Sequence, residues 1–117
     1  MPASSAAALA AGVPEVVGTY EARRPDQVPE GFARTCREMG WDVQQTWAKL
    51  AMKDVPWYES ENGSYVYLHV ERQWWIDAPS GAGVYIADDV DGRVPQQGWQ
   101  MLRGARPPLP TVTVLRQ

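Results

Sequence analysis

His69 is the only histidine of the chain, and with Ser64 and Asp77 it makes the one side-chain set that could imitate a hydrolytic triad. A nucleophilic serine of that kind stands on a sharp, strained strand-to-helix turn. Asn62-Gly63-Ser64-Tyr65 instead reads as a turn entering a strand, so no catalytic residue is expected. Asp88, Asp89 and Asp91 precede Gly92 in the manner of a calcium loop. Aligning Gly92 with the loop glycine puts Ala87 at the first ligand position and Gly98 where a bidentate Glu is needed, so these acids read as a surface turn. Cys36 shares a helical face with Phe32 and Met39 and reads as an inert core thiol. There are no Cys/His pairs for zinc and no glycine loop with a lysine for phosphate, so neither metal nor cofactor is expected.

What remains is aromatic surface, and the elements that would carry it are legible from periodicity. The segment 65–70, together with 73–77 and 84–87, is rich in aromatic and β-branched residues. Turn chemistry separates these strands at Asn62-Gly63, Glu71-Arg72 and Pro79-Ser80-Gly81, which predicts sequential hairpins in a meander. Further strands are expected over 15–22, 55–59 and, after a Pro/Gly-rich return at 95–99, over 111–115. Between the first two lies a helical insert at about 29–52. Pro29 suits a first helical position, Phe32, Cys36 and Met39 recur at helical spacing, and Gly40 ends the first helix. Asp42 with Gln45 then caps a second helix whose inner face is Val43, Trp47, Leu50 and Ala51. Gly31 is an odd choice so early in a helix.

The expected fold is therefore α+β: a small antiparallel β-meander with a two-helix insert packed on one face. Its parts are an Ala-rich N-terminal extension (1–12), one β-rich domain (13–115) and an Arg/Pro-rich tail (103–117) ending in a strand. Side chains alternate along a strand, which sorts Val66, Leu68, Val70, Trp74, Ile76, Val84 and Ile86 onto one face. Tyr65, Tyr67, His69, Trp75, Asp77 and Tyr85 fall on the other. Each buried aromatic side chain removes roughly 150–250 Å² from water, about 4–6 kcal/mol. A chain of 117 residues needs most of its six tryptophans for that purpose. The aromatic face is accordingly expected to lie under the insert, with Phe32, Trp47 and Leu50 against Tyr65, Tyr67 and Trp75. Left uncovered, Tyr65, Tyr67, Trp75 and Tyr85 would make a stacking platform for a sugar or a proline-rich segment. The Arg106-Pro107-Pro108-Leu109-Pro110 run favours polyproline II and could dock on the chain's own Tyr/Trp surface.

Bulk properties narrow the partners. At 44% hydrophobic and 21% charged residues the usage is that of an ordinary globular domain, which argues against disorder. No apolar run approaches the roughly 18 residues of a membrane span, which leaves only a peripheral seat on a membrane complex. The net charge of −3 lacks the basic field that nucleic acid attracts, so none is expected as a partner. Locally the tail holds Arg103, Arg106 and Arg116 without an acid, and these, with Pro107, Pro108 and Pro110, are the candidate contact for an acidic partner. A single cysteine forms no intrachain disulfide, which is compatible with a reducing, intracellular place. The segment 1–12 has no basic region before an apolar core and so makes a poor signal peptide. Ala-rich termini are mobile unless tied down, and partner proteins are the expected anchor.

Several spaced elements carry a resemblance. They are Val16-Val17-Gly18-Thr19-Tyr20, Tyr58 with Asn62-Gly63-Ser64-Tyr65-Val66-Tyr67, Trp74-Trp75-Ile76-Asp77, Gly83-Val84-Tyr85, and Pro95 with Gly98-Trp99. From about Gly12 to Thr113 the chain resembles a small Trp/Tyr-rich β domain (V-x-G-x-Y, NG-x-Y-x-Y, WxI, GxxY, P-x-x-GW) that recurs in dinoflagellate-like algal and other protist proteins. The resemblance implies a β scaffold of unassigned biochemistry with no catalytic residues to carry over, and an organellar place in a photosynthetic protist. The stretch 23–55 departs from the short connection of that pattern. The function these readings favour is a noncatalytic protein–protein interaction module, an accessory subunit of a larger complex. The alternative is a carbohydrate-binding module using the aromatic platform.

Overall fold

Turn residues set the order of the sheet. The computed structural model describes residues 5–9 and 11–115. Strands β1 (Ser5–Leu9) and β2 (Gly18–Arg23) come first, followed by helices α1 (Glu30–Met39) and α2 (Val43–Leu50). Strands β3 (Trp57–Ser60), β4 (Tyr65–His69), β5 (Gln73–Asp77), β6 (Gly83–Asp88), β7 (Gln100–Met101) and β8 (Thr111–Leu115) complete the chain. Gly63, at φ 94°, supplies the left-handed residue that closes the β3–β4 hairpin. The eight strands form one sheet in the order β7-β6-β5-β4-β3-β2-β1-β8, with every neighbouring pair antiparallel. It is thus a meander with its last strand returned beside its first. The sheet curls into a half-barrel, and Val112 N–H on β8 donates to the Gln96 carbonyl (2.9 Å) in the segment leading to β7.

Two cores lie on the two sides of this sheet. Inside the curl, Tyr20, Val66, Leu68, Trp74, Ile76 and Trp99 pack with the small residues of β1. Outside it, Phe32, Cys36, Trp47 and Ala51 of the insert cover Trp57, Tyr65 and Tyr67, with Leu50 and Trp75 partly buried at the margin. The α+β meander with a helical insert on one face is the architecture observed. No helix among the described residues is long and apolar enough to cross a membrane.

Four sequence expectations need correction. The segment 1–12, expected as an extension outside the domain, supplies β1, which pairs with β2 on one side and β8 on the other. Ala6 and Ala8 are buried there. The first strand begins later than expected, because Pro14–Val16 forms a 3₁₀ turn and β2 starts at Gly18. The Pro/Gly-rich return at 95–99 does not lead straight to the last strand: a two-residue strand, β7, follows it. Tyr85 and Ile86 occupy the opposite faces from those expected. Ile76 pairs with Tyr85 but Asp77 pairs with Gly83, so Val84 is an extra residue, a bulge, and the alternation of β6 inverts beyond it. Residues 1–4 and 10 of the expected extension, and Arg116 of the tail, lie outside the described residues.

The inverted Tyr85 joins both ends of the domain. Its hydroxyl accepts from Val13 N–H (3.1 Å) and donates to the Arg106 carbonyl (2.7 Å). Gly12 N–H donates to the Pro108 carbonyl (2.9 Å), and a Cβ at Gly12 would collide with the Arg106 and Pro107 carbonyl oxygens. The tail therefore docks on the chain's own tyrosine through its backbone, with Pro110 buried and Arg103, Arg106, Pro107 and Pro108 exposed. Tyr85→Phe keeps the ring but strands the buried Val13 N–H. It is expected to lower unfolding free energy by about 1–3 kcal/mol in urea titration, with the spectrum of the folded protein unchanged.

Candidate binding cleft beside the helical insert

The joint between α1 and α2 is short and fully determined by its caps. Gly40 takes the left-handed conformation (φ 76°) and its N–H donates to the Arg37 carbonyl, while Trp41 N–H donates to the Cys36 carbonyl (2.8 Å). This paired bonding is a Schellman motif, which folds the following residue back toward the last turn of its helix. Asp42 then caps α2, its carboxylate accepting from Gln45 N–H (2.8 Å). Trp41 is held between these two caps and remains 51% exposed.

α2 is fastened to the sheet by its C-terminal end. Met52 N–H donates to the Leu68 carbonyl (2.7 Å), and Val70 N–H donates to the Leu50 carbonyl (2.8 Å). α1 is fastened by close backbone approach: a Cβ on Gly31 would lie 2.5 Å from the Pro79 carbonyl oxygen in the β5–β6 turn. The early glycine of α1 is thus a packing requirement. Thr35 Oγ1 reaches the Ser80 carbonyl (3.3 Å) of the same turn.

Trp47 fills the space between helices and sheet. Its ring lies 5.0 Å from Phe32, 5.2 Å from Tyr67 and 6.0 Å from Trp57, and its Nε1–H donates to the Pro25 carbonyl. Two short helices do not reach the far end of the aromatic face. A cleft of about 240 Å³ remains there, walled by Phe32, Trp41, Tyr67, His69 and Trp75, with Asp77 lining it. The rings of Tyr67, His69 and Trp75 form a row, 6.4 Å and 5.7 Å apart in turn. Gly83 leaves room for the Trp75 indole, which a Cβ would approach to 2.8 Å. His69 is oriented by Glu71 N–H, which donates to Nδ1 (3.0 Å), so the neutral ring carries its proton on Nε2.

Asp77 is the electrostatic anomaly of the cleft. It is only 5% exposed, and no lysine or arginine among the described residues pairs with it. Burial pushes its carboxyl up to about 7, an effect the Tyr65 hydroxyl beside it offsets only in part. Tyr65 stands opposite Asp77 in register, yet no well-formed hydrogen bond joins them, and Asp77 Oδ1, Tyr65 Oη and Trp75 Nε1 are all buried without a partner. Burial, reinforced by the Asp77 charge, also drives the Tyr65 and Tyr67 phenols far above their ordinary range.

The structure thus places the expected residues in three different settings. Tyr65 and Tyr67 are buried beneath the insert, so they are not an open platform. Trp75 is half-buried in the cleft wall, and Tyr85 belongs to the other core. The tail residues Arg103, Arg106, Pro107, Pro108 and Pro110 line none of the cleft. Phe32, His69, Trp41 and Asp77 line the cleft outside the candidate set, and the last two matter most to its chemistry. Trp41 was signalled by its place just after a helix-ending glycine, and Asp77 by sharing a strand face with Tyr65 and Trp75.

The other polar groups are engaged elsewhere. Asp89 accepts from Trp74 Nε1–H (3.0 Å) and Gly92 N–H (2.9 Å) and pairs with Arg72 (3.1 Å), which makes it an anchor for the acidic turn. Ser64 Oγ donates to the Glu15 carbonyl (2.8 Å) and is fully buried. A larger groove of about 480 Å³ over β2 and β3 is lined by Glu21, Arg23 and Glu59, but there Arg23 already pairs with both acids.

Two outcomes are expected. Gly31→Ala should destabilise the fold by about 1–3 kcal/mol in chemical denaturation, although alanine favours an isolated helix by about 1 kcal/mol. Asp77 holds a proton more tightly folded than unfolded. Its contribution is therefore full below about pH 4 and is lost as pH rises to about 7, levelling above that. Asp77→Asn should flatten this decline and be more stable than wild type at pH 8, by about 4 kcal/mol, in melts recorded across that range.

The chain matches no protein-family model, no curated protein and no solved structure. The geometry of the cleft is therefore the ground on which a function is argued.

Proposed function

We propose that the chain is a noncatalytic interaction module, an accessory subunit of a larger assembly, and that the cleft beside the insert is where it grips its partner. The observation that carries this reading is Trp41. Four of the six tryptophans are buried, whereas Trp41 stands half in solvent at the mouth of the cleft and Trp75 is only half-buried in its wall. Exposed indole beside a concave aromatic surface is the composition of an interface hot spot. The polar groups nearby support binding over turnover: among the described residues Asp77 is the only carboxylate lining the cleft, and His69 Nδ1 is occupied by the Glu71 amide. The ordered Trp/Tyr elements keep the resemblance to the protist β domain as a proposal, and with it the organellar place.

Recognition of a sugar is the second reading, favoured by two accessible indoles flanking a carboxyl acceptor. The two separate cleanly. Wild type and Trp41→Ala are purified in parallel from the native source and their companions identified by mass spectrometry. A reproducible set of proteins present with wild type and absent with Trp41→Ala is expected. Recovery of wild type only as a free monomer, with Trp41-dependent hits on a glycan array, would replace the subunit reading with the sugar one.

A further inference from the structure

We propose that the cleft is a receptor for an organic cation, the alkylated ammonium head of a partner's lysine side chain, with Asp77 as its counter-ion and the rings of Trp41, Tyr67 and Trp75 as its walls. The inference rests on the interaction-module reading and gives that site its ligand chemistry.

Three features lead to it. A carboxyl group this deeply buried ordinarily has a cationic or hydrogen-bonding partner, because desolvation otherwise penalises it. Asp77 has no cationic partner among the described residues, the Tyr65 hydroxyl beside it offsets its burial only in part, and its Oδ1 is without a hydrogen-bond partner. It lines a cleft, so the missing charge can come from outside. The walls then choose the kind of cation. Indole and phenol faces attract positive charge through their quadrupoles, and they provide little for a strongly hydrated primary ammonium to bond. An alkylated ammonium is large, weakly hydrated and suited to ring faces, and about 240 Å³ accommodates such a head group. The chain's net charge of −3 adds long-range attraction for a cation.

Protonation follows from the same geometry. The groups facing Asp77 are Tyr65, Tyr67 and His69 of β4, Trp75 of its own strand and Cys36 of α1. Both phenols stay protonated at neutral pH. A cation selects the ionised carboxylate, so its binding expels the Asp77 proton below about pH 7, and affinity rises with pH through that point. Whatever His69 contributes persists in Asp77→Asn, so the difference between the two proteins isolates Asp77.

The test follows the Trp41 and Trp75 indole N–H signals by NMR during titration with choline. The neutral isostere 3,3-dimethyl-1-butanol is titrated beside it, and so is a short peptide carrying trimethyllysine. Choline should bind about tenfold more tightly than the neutral alcohol and more tightly at pH 8 than at pH 6. Asp77→Asn, verified as folded by the same spectra, should lose both preferences, and Trp41→Ala should weaken choline several-fold. Equal or tighter binding of the alcohol, an unchanged preference in Asp77→Asn, or no binding of choline at tens of millimolar would overturn the proposal. The peptide arm addresses the underlying reading. A peptide no tighter than choline would leave the cation site standing and count against a protein side chain as its source.

Discussion

Trp47 is the contact on which the arrangement depends. The strands β3 to β5 are apolar on both faces, and a sheet of that kind must be covered on both sides. The curl covers one side. The other is covered by two short helices whose largest buried side chain is one indole inserted between Phe32, Trp57 and Tyr67. An indole of this size removes roughly 150–250 Å² from water, and edge-to-face neighbours add about 0.5–1.5 kcal/mol each. The helices are held close where that ring sits and where backbone meets backbone at Gly31. The C-terminal end of α2 is also bonded to the sheet at Leu68 and Val70, and the cleft between helices and sheet is the space left open.

Asp77 shows how such a space differs from an accident of packing. A cavity left by poor packing would be lined by carbon and would be inert. Here polar atoms of Asp77, Tyr65 and Trp75 are buried without partners, and two of these residues, Asp77 and Trp75, line the cleft. Each opposes folding, and they are tolerable only because the aromatic cluster beside them is strongly stabilising. Groups that weaken a fold while lining an opening support the binding role proposed for the cleft.

Most of the architecture was legible in the sequence because its signals are local. Helical spacing and the caps at Gly40 and Asp42 delimit α1 and α2, and Asn62-Gly63 and Pro79-Ser80-Gly81 delimit hairpins. The failures share one cause, dependence on distant pairing. Alanine has low strand propensity, so nothing within Ser5–Leu9 announces β1, which exists because β2 and β8 flank it. The bulge at Val84 follows from how β5 and β6 meet, and one residue of slip was enough to move Tyr85 into the wrong core. Of the candidate site, the aromatic face and its helical cover could be read. Where that cover stops could not, because it depends on helix orientation, and so Trp41 and Asp77 were passed over.

The return of β8 to the side of β1 has a bearing on how the molecule comes into being. Ser5 aligns with Leu115, a pairing that spans nearly the whole chain. As the polypeptide leaves the ribosome, β1 can find β2 early, but its second edge stays bare until β8 has emerged. That edge is made of uncharged residues, most of them small, the kind that other extended chains join readily. Pairing with the five-residue β8 covers that edge, and β8 then takes the outer place in the sheet.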